Sequence, residues 1–225
     1  MRGVAYGVGV GPGDPELMTL KAVRVIRECG AIALPGESPR ASVAYRIAAA
    51  AVPSLAEKAL LPIPVPMVKD PARVAAAQVD AAAAIESILE KGQDVAYLTL
   101  GDPSLYSSFT GIRRRLEADG HAVQTVPGVT SFCAAASRLG MPLAEWDEPL
   151  SVVPAAHSLD GLAGSGNCVI MKPSGRLAEI RSLLRDSGRS VGMVENCAMP
   201  GERVFIGADA IPDEAGYFSL IIAKR

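Results

Sequence analysis

Residues 97–143 read YLTLGDPSLYSSFTGIRRRLEADGHAVQTVPGVTSFCAAASRLGMPL, and this stretch decides the fold. The apolar run Val95–Leu100 has the length of a strand and stops abruptly at Gly101-Asp102-Pro103. A helix is predicted from about Ser107 to Asp119; its run Arg113, Arg114, Arg115 reads as a solvated face. A second short strand, Val123–Val126, ends in Pro127-Gly128 and leads into a helix capped near Thr130 or Ser131. Strand ends that open into backbone-rich turns are where an α/β sheet holds a small ligand. Glycine lets such a ligand approach the main chain, and Asp102 offers acceptors to an amine or a ribose hydroxyl. The same aspartate also suits a plain cap in a strand–turn–helix connection.

Working outward, Val4–Val10 reads as a first strand, followed by the turn Gly11-Pro12-Gly13-Asp14-Pro15. Thr19–Cys29 is predicted helical, with Leu20, Val23 and Ile26 on one face and Gly30 placed to end it. Ala31–Leu34 is a short strand ended by Pro35-Gly36, and a helix follows over Ser42–Ala51. Proline at alternate positions in Leu60–Pro66 restricts that segment to an edge strand or an extended loop. Ala72–Glu90 is a long Ala-rich helix closed by Lys91-Gly92. The order β-α-β-α-loop-α-β-α-β up to Val126 implies a mostly parallel sheet with covering helices.

The second half differs. Strand-like runs at Leu150–Val153, Cys168–Met171, Val191–Val194, Arg203–Ile206 and Phe218–Ala223 surround one helix, Leu177–Arg185. Short gaps between the later strands imply hairpins and a mixed sheet. We therefore expect an N-terminal α/β domain over residues 1–127 and a C-terminal α/β domain over residues 128–225.

Composition excludes several function classes. Of 225 residues, 49% are hydrophobic and only 4% aromatic, and the apolar content is mainly Ala, Val, Leu and Ile, as in a packed α/β core. A formal charge of −2 supplies no basic field for nucleic acid or anionic lipid, so a polyanionic substrate needs a local basic patch. Charge or proline breaks every apolar stretch short of a membrane span, and the N-terminus lacks a signal-peptide pattern; a cytoplasmic protein is expected. Cys29, Cys133, Cys168 and Cys197 are far apart and form no CxxC, which suits reduced thiols. The only histidines, His121 and His157, have no ligand-like spacing with them, so no metal site is expected.

GVGVGPGD at residues 7–14 invites a dinucleotide reading, but its glycine spacing is not G-x-G-x-x-G. No acidic residue ends the second strand where a ribose would need one. The loop reads instead as a stiffened wall of a pocket, with Asp14 capping a helix or facing ligand. Glu195-Asn196-Cys197 ends a strand in the second half, again a ligand-facing location. No Ser/His/Asp or Cys/His arrangement supports covalent catalysis.

Together, YGVGVGPGDPELMTLKAVRVI, LTLGDPSLYSSF, VPGVTSFCAAASRLGMPLAE and VENCAMPGERVF occur in the order found in the tetrapyrrole methylases, which the chain resembles from about residue 4 to its end. Pro66-Met67 with Lys69-Asp70, the LTLGDPSLYS run and FCAAASRLGMPLAEWDEPLSVVP resemble the branch that methylates C20 of precorrin-2 or cobalt-factor II in cobalamin synthesis. The alternative is a methylase of the same fold acting on uroporphyrinogen III or a later precorrin; a macromolecular substrate fits less well.

The resemblance implies two α/β domains with S-adenosylmethionine folded in the cleft between them, S-adenosylhomocysteine as product, a reduced tetrapyrrole substrate and a homodimer. It also implies cofactor contacts from Gly101, Asp102, Tyr106, Thr130, Ser131 and Met171, with Cys197 and Phe218 as additions and Pro12 near the transferred methyl. Asp14 and Tyr106 are the candidates for a base. For the substrate carboxylates we expect a basic trough drawn from Arg40, Arg46, Lys69 and Arg138.

Overall fold

The strand-end turns of the first half converge because of the order in which its strands join the sheet. In a computed structural model describing residues 2–66, 68, 70–155, 159 and 166–225, the chain divides into two compact units, residues 1–130 and 131–225. In the first unit β1 (Ala5–Gly9), β2 (Ala31–Pro35), β3 (Ala59–Ile63), β4 (Val95–Thr99) and β5 (Val123–Val126) form one parallel sheet in the order β3-β2-β4-β1-β5. The connection from β1 leads to one side and that from β4 to the other. The ends of β1 and β4 therefore lie side by side where the order reverses, the place at which open α/β sheets take ligands. β3, with Pro62, is an edge strand.

The period-two alternation of β4 assigns its faces. Ala96 and Leu98 pack on α1 (Leu20–Glu28) and α2 (Val43–Ala51), with Val8, Ile26 and Ile47. Val95 and Tyr97 pack on α3 (Pro71–Leu89) and α4 (Phe109–Ala118), with Ile85, Leu89 and Ile112. Tyr97 stacks on Phe109 at 5.4 Å between centroids, and its hydroxyl shares a 2.6 Å hydrogen bond with Ser108. Gly7 leaves room for that ring: a Cβ there would lie 2.1 Å from Phe109. Two of the helices start on side-chain caps, with Thr19 Oγ1 accepting from Ala22 N and Asp70 accepting from Ala72 N.

The second unit is a sheet in the order β6-β7-β10-β8-β9, from β6 (Leu150–Pro154), β7 (Asn167–Met171), β8 (Ser190–Glu195), β9 (Arg203–Ile206) and β10 (Ser219–Lys224). It is covered on one face by α5 (Ser131–Leu139) and on the other by α6 (Leu177–Arg185). The sheet is mixed, as expected: β6 runs parallel to β7, and every other pair is antiparallel. The hairpin expectation needs correction. Of the sequence-adjacent strands only β8 and β9 pair antiparallel as a hairpin; β6 and β7 pair parallel, and β10 inserts between β7 and β8. Its all-apolar centre, Leu220 to Ala223, explains this, because residues buried on both faces belong in the middle of a sheet.

Candidate functional site

Three turns meet at the strand ends of the first unit. Gly11 and Gly101 form an antiparallel bridge, with Gly101 N donating to Gly11 O at 2.8 Å. Asp102 then ties the β4 turn to the β5 turn. Its Oδ1 accepts from Ser104 N at 2.7 Å and from the Ser104 hydroxyl, and its Oδ2 accepts from Gly128 N at 2.9 Å. The approach leaves no space for side chains between the turns: a Cβ on Gly128 would lie 2.1 Å from Gly101 O, and one on Gly9 2.5 Å from the same atom. Glycine at these two positions thus serves the packing of main chain on main chain. Gly101 is different. It has φ +70, and the direction of its missing Cβ is open, with Val129 O the nearest atom at 4.0 Å.

Asp14 takes the capping role. Its Oδ1 accepts from Glu16 N at 2.8 Å at the start of a short 3-10 helix, Pro15–Leu17. Pro12 is buried in the turn before it. Tyr106, half exposed, sits beyond the β4 turn with φ +49. A bulky residue in the left-handed region stores strain of about 1–3 kcal/mol. Thr130 Oγ1, just beyond the third turn, is buried with no hydrogen-bond partner, and Ser131 begins α5. Burial pushes the Asp102 pKa up, but the Ser104 and Gly128 hydrogen bonds outweigh it and hold the carboxyl below its ordinary value.

The second unit has its own cluster of strained backbone at one sheet end. β7 and β8 both run antiparallel to β10, so their C-terminal ends flank its start. Lys172 N donates to Ser219 O at 3.1 Å on one side, and Asn196 N donates to Phe218 O at 2.8 Å on the other. Lys172, Asn196 and Ala198 all adopt positive φ, at 54°, 51° and 59°. Met171 lies partly buried beside them, and Phe218, 37% exposed, packs edge-on against Tyr217 at 5.3 Å. The Cys197 side chain lies in the core with Val194 and Leu220. Burial, with the Glu202 carboxylate adding to it, pushes this thiol up to about 11. Glu195, read from the sequence as ligand-facing, is instead 5% exposed and internal: it accepts from Gly216 N at 2.6 Å and from Arg203 Nε at 2.5 Å.

The basic residues sort unevenly. Arg40 donates to the Tyr45 hydroxyl at 2.7 Å and to Ala56 O at 3.1 Å. Arg138 is engaged by Glu202. The Arg46 side chain is exposed and has no hydrogen bond or ion pair among the described residues. Lys69 and His157 lie outside the described residues. Lys172 was not singled out from the sequence. Its ammonium stands 4.9 Å from the centre of the Tyr217 ring, without an acidic partner among the described residues. Its signal is a left-handed backbone, which a lysine does not advertise in sequence.

With this geometry in view, the comparison with known proteins is decisive. The profile of the Tetrapyrrole (Corrin/Porphyrin) Methylases matches residues 4–208. The chain belongs to this family. Among its relatives are a probable cobalt-precorrin-2 C(20)-methyltransferase of Methanocaldococcus jannaschii, 35% identical over 98% of this chain and 95% of that one, and a precorrin-2 C(20)-methyltransferase of Sinorhizobium sp, 34% identical over 98% and 94%. The crystal structure of a Thermus thermophilus uroporphyrin-III C-methyl transferase complexed with S-adenyl homocysteine superposes with a TM-score of 0.71, at 25% identity, over 99% of this chain and 98% of that one.

For a tetrapyrrole methylase the residues present fit the expected cofactor. The orphaned Thr130 hydroxyl and the open side of Gly101 suit a ligand rich in hydroxyl and amine groups.

Proposed function

We propose that this chain transfers the methyl group of S-adenosylmethionine to C20 of precorrin-2 or of its cobalt-containing counterpart, in cobalamin synthesis. The observation that carries this reading is full-length similarity to two methyltransferases named for that carbon. One is named for the cobalt-containing substrate and the other for the metal-free one, so both belong in the assay.

S-adenosylmethionine supplies a methyl group already activated on a sulfonium. The chain's contribution is to orient and to exclude water. Bringing two reactants into line is worth effective molarities on the order of 10^5 M or more, and an electron-rich ring carbon needs no strong base to attack. This agrees with a set of candidate residues that contains no histidine. We assign Gly101, Thr130 and Pro12 on the first unit, and Ser131, Met171, Phe218 and the main chain at Cys197 on the second, to the cofactor. Asp102 acts by locking the turns together. Tyr106 is the candidate to hold or accept a proton, because Asp14 is committed to its cap. Arg46 and Lys172 are the cations available to substrate carboxylates. The active species is a cytoplasmic homodimer, which light scattering of the purified protein tests.

The deciding experiment is anaerobic incubation with labelled S-adenosylmethionine and, in parallel, precorrin-2, cobalt-factor II and uroporphyrinogen III, with products followed by mass spectrometry and NMR. One methyl on C20 of either of the first two is the expected result. Methylation of uroporphyrinogen III alone would keep the family and overturn the branch.

A further inference from the structure

The turn that follows β8 contains a feature that the methyl-transfer reading leaves unexplained. Asn196 and Ala198 are both left-handed, and the side chain of Cys197 between them is held in the core. Left-handed non-glycine backbone persists only where its surroundings over-determine it. Asn196 meets that condition by itself: its N–H is bound by Phe218 O, its carbonyl accepts from Met199 N at 2.9 Å, and its amide donates to Gly201 O at 3.4 Å. Asparagine also tolerates this region well. Ala198 has no polar side chain with which to hold the conformation. What fixes it is the bond from its N–H to Glu202 Oε2, at 2.7 Å. The other oxygen of Glu202 is gripped by the Arg138 guanidinium, from α5. The Glu202 side chain is 19% exposed and that of Arg138 60%, so the pair reaches inward from the surface to a single main-chain N–H.

We propose that Glu202 is a positioning residue for the cofactor: clamped by Arg138, it presets the Asn196–Gly201 turn in the conformation that S-adenosylmethionine meets. The inference rests on the assignment of Met171, Phe218 and the main chain at Cys197 to the cofactor. Arg138 is then a brace for this turn and not part of a substrate trough. The clamp works with Glu202 ionised. The Ala198 N–H, helped by Arg138 against the opposing effect of burial, holds its carboxyl below the ordinary value, so the turn stays set across the neutral range and loosens only in acid.

The test is calorimetric titration of S-adenosylhomocysteine into the full chain and its variants, which needs no tetrapyrrole. Glu202→Ala is expected to raise Kd about tenfold, the scale of a hydrogen bond to a charged group. Its kcat at saturating cofactor should stay within about twofold of wild type, because interactions with bound reactants are untouched. Arg138→Ala, on an exposed side chain, should raise Kd about threefold and serves if Glu202→Ala does not fold. The discriminating readout is rescue. Ala198→Gly makes the left-handed conformation accessible without the brace, so Glu202→Ala/Ala198→Gly should recover most of the lost affinity. Unchanged Kd in Glu202→Ala, unchanged Kd in Arg138→Ala, or failure of the glycine to rescue would overturn the proposal. Failure of the wild-type chain to bind S-adenosylhomocysteine would instead overturn the cofactor assignment on which it rests.

Discussion

Asp102 follows the end of a strand beside Gly101, and from sequence it suited both a ligand contact and a turn cap. The structure commits three of its acceptor positions internally, to Ser104 N, the Ser104 hydroxyl and Gly128 N. The consequence is a pH dependence with a definite sign. A carboxyl whose folded pKa is lowered contributes stability that is fully present above its unfolded value, about 3.9, and is lost as pH falls through the lower folded value. Asp102→Asn should therefore lower the urea midpoint at pH 7, because an amide NH2 replaces one of the two accepting oxygens and faces a main-chain N–H donor. The deficit should shrink below about pH 4, where the wild-type carboxyl is itself being protonated. Denaturation curves across that range check both parts. A second prediction concerns the thiols. Cys29 is pushed up to about 12 by burial and Cys197 to about 11, whereas Cys133 is exposed. Iodoacetamide at pH 8 should alkylate the native protein at Cys133 alone, which peptide mass spectrometry reads directly.

Among the elements, nearly every helix and strand was legible because each carries its own periodicity and punctuation. The helix over Leu177–Arg185 has the bounds read from the sequence. The short 3-10 turns at Pro15–Leu17, Pro39–Ala41 and Pro53–Glu57 were not read, since one turn carries no period to recognise. The place of β10 was not legible either, because pairing partners are a property of the sheet. The junction of three turns carries the third prediction. Gly128→Ala drives a Cβ to 2.1 Å from Gly101 O, backbone that cannot swing aside. We expect a loss of about 1–3 kcal/mol by overpacking, together with weakened S-adenosylhomocysteine binding, measured by urea denaturation and calorimetry. Gly111→Ala is the contrast. It meets only the end of the flexible Gln78 side chain, so the neighbour moves and binding should persist.

For the whole molecule, 22 basic and 24 acidic residues leave no long-range field to gather a polycarboxylate. Its recognition must come from a few local cations, and exposed ones such as Arg46 are screened by salt within a Debye length of about 10 Å at 0.1 M. Raising the ionic strength should therefore raise KM for the tetrapyrrole and leave kcat nearly unchanged, as steady-state assays at several salt concentrations will show. Family, reaction class and the layout of two α/β units were determined by the sequence alone, because periodicity, turn chemistry and ordered motifs are local and linear. Which groups remain free to act was decided only by the tertiary structure. Arg40, Arg138, Asp14, Asp102 and Glu195 each read as candidates for a ligand, and each found its partner inside the fold. The physical reason is that a charged or polar side chain satisfies itself with whatever the fold brings within about 3 Å, and nothing in its sequence neighbourhood says what that will be.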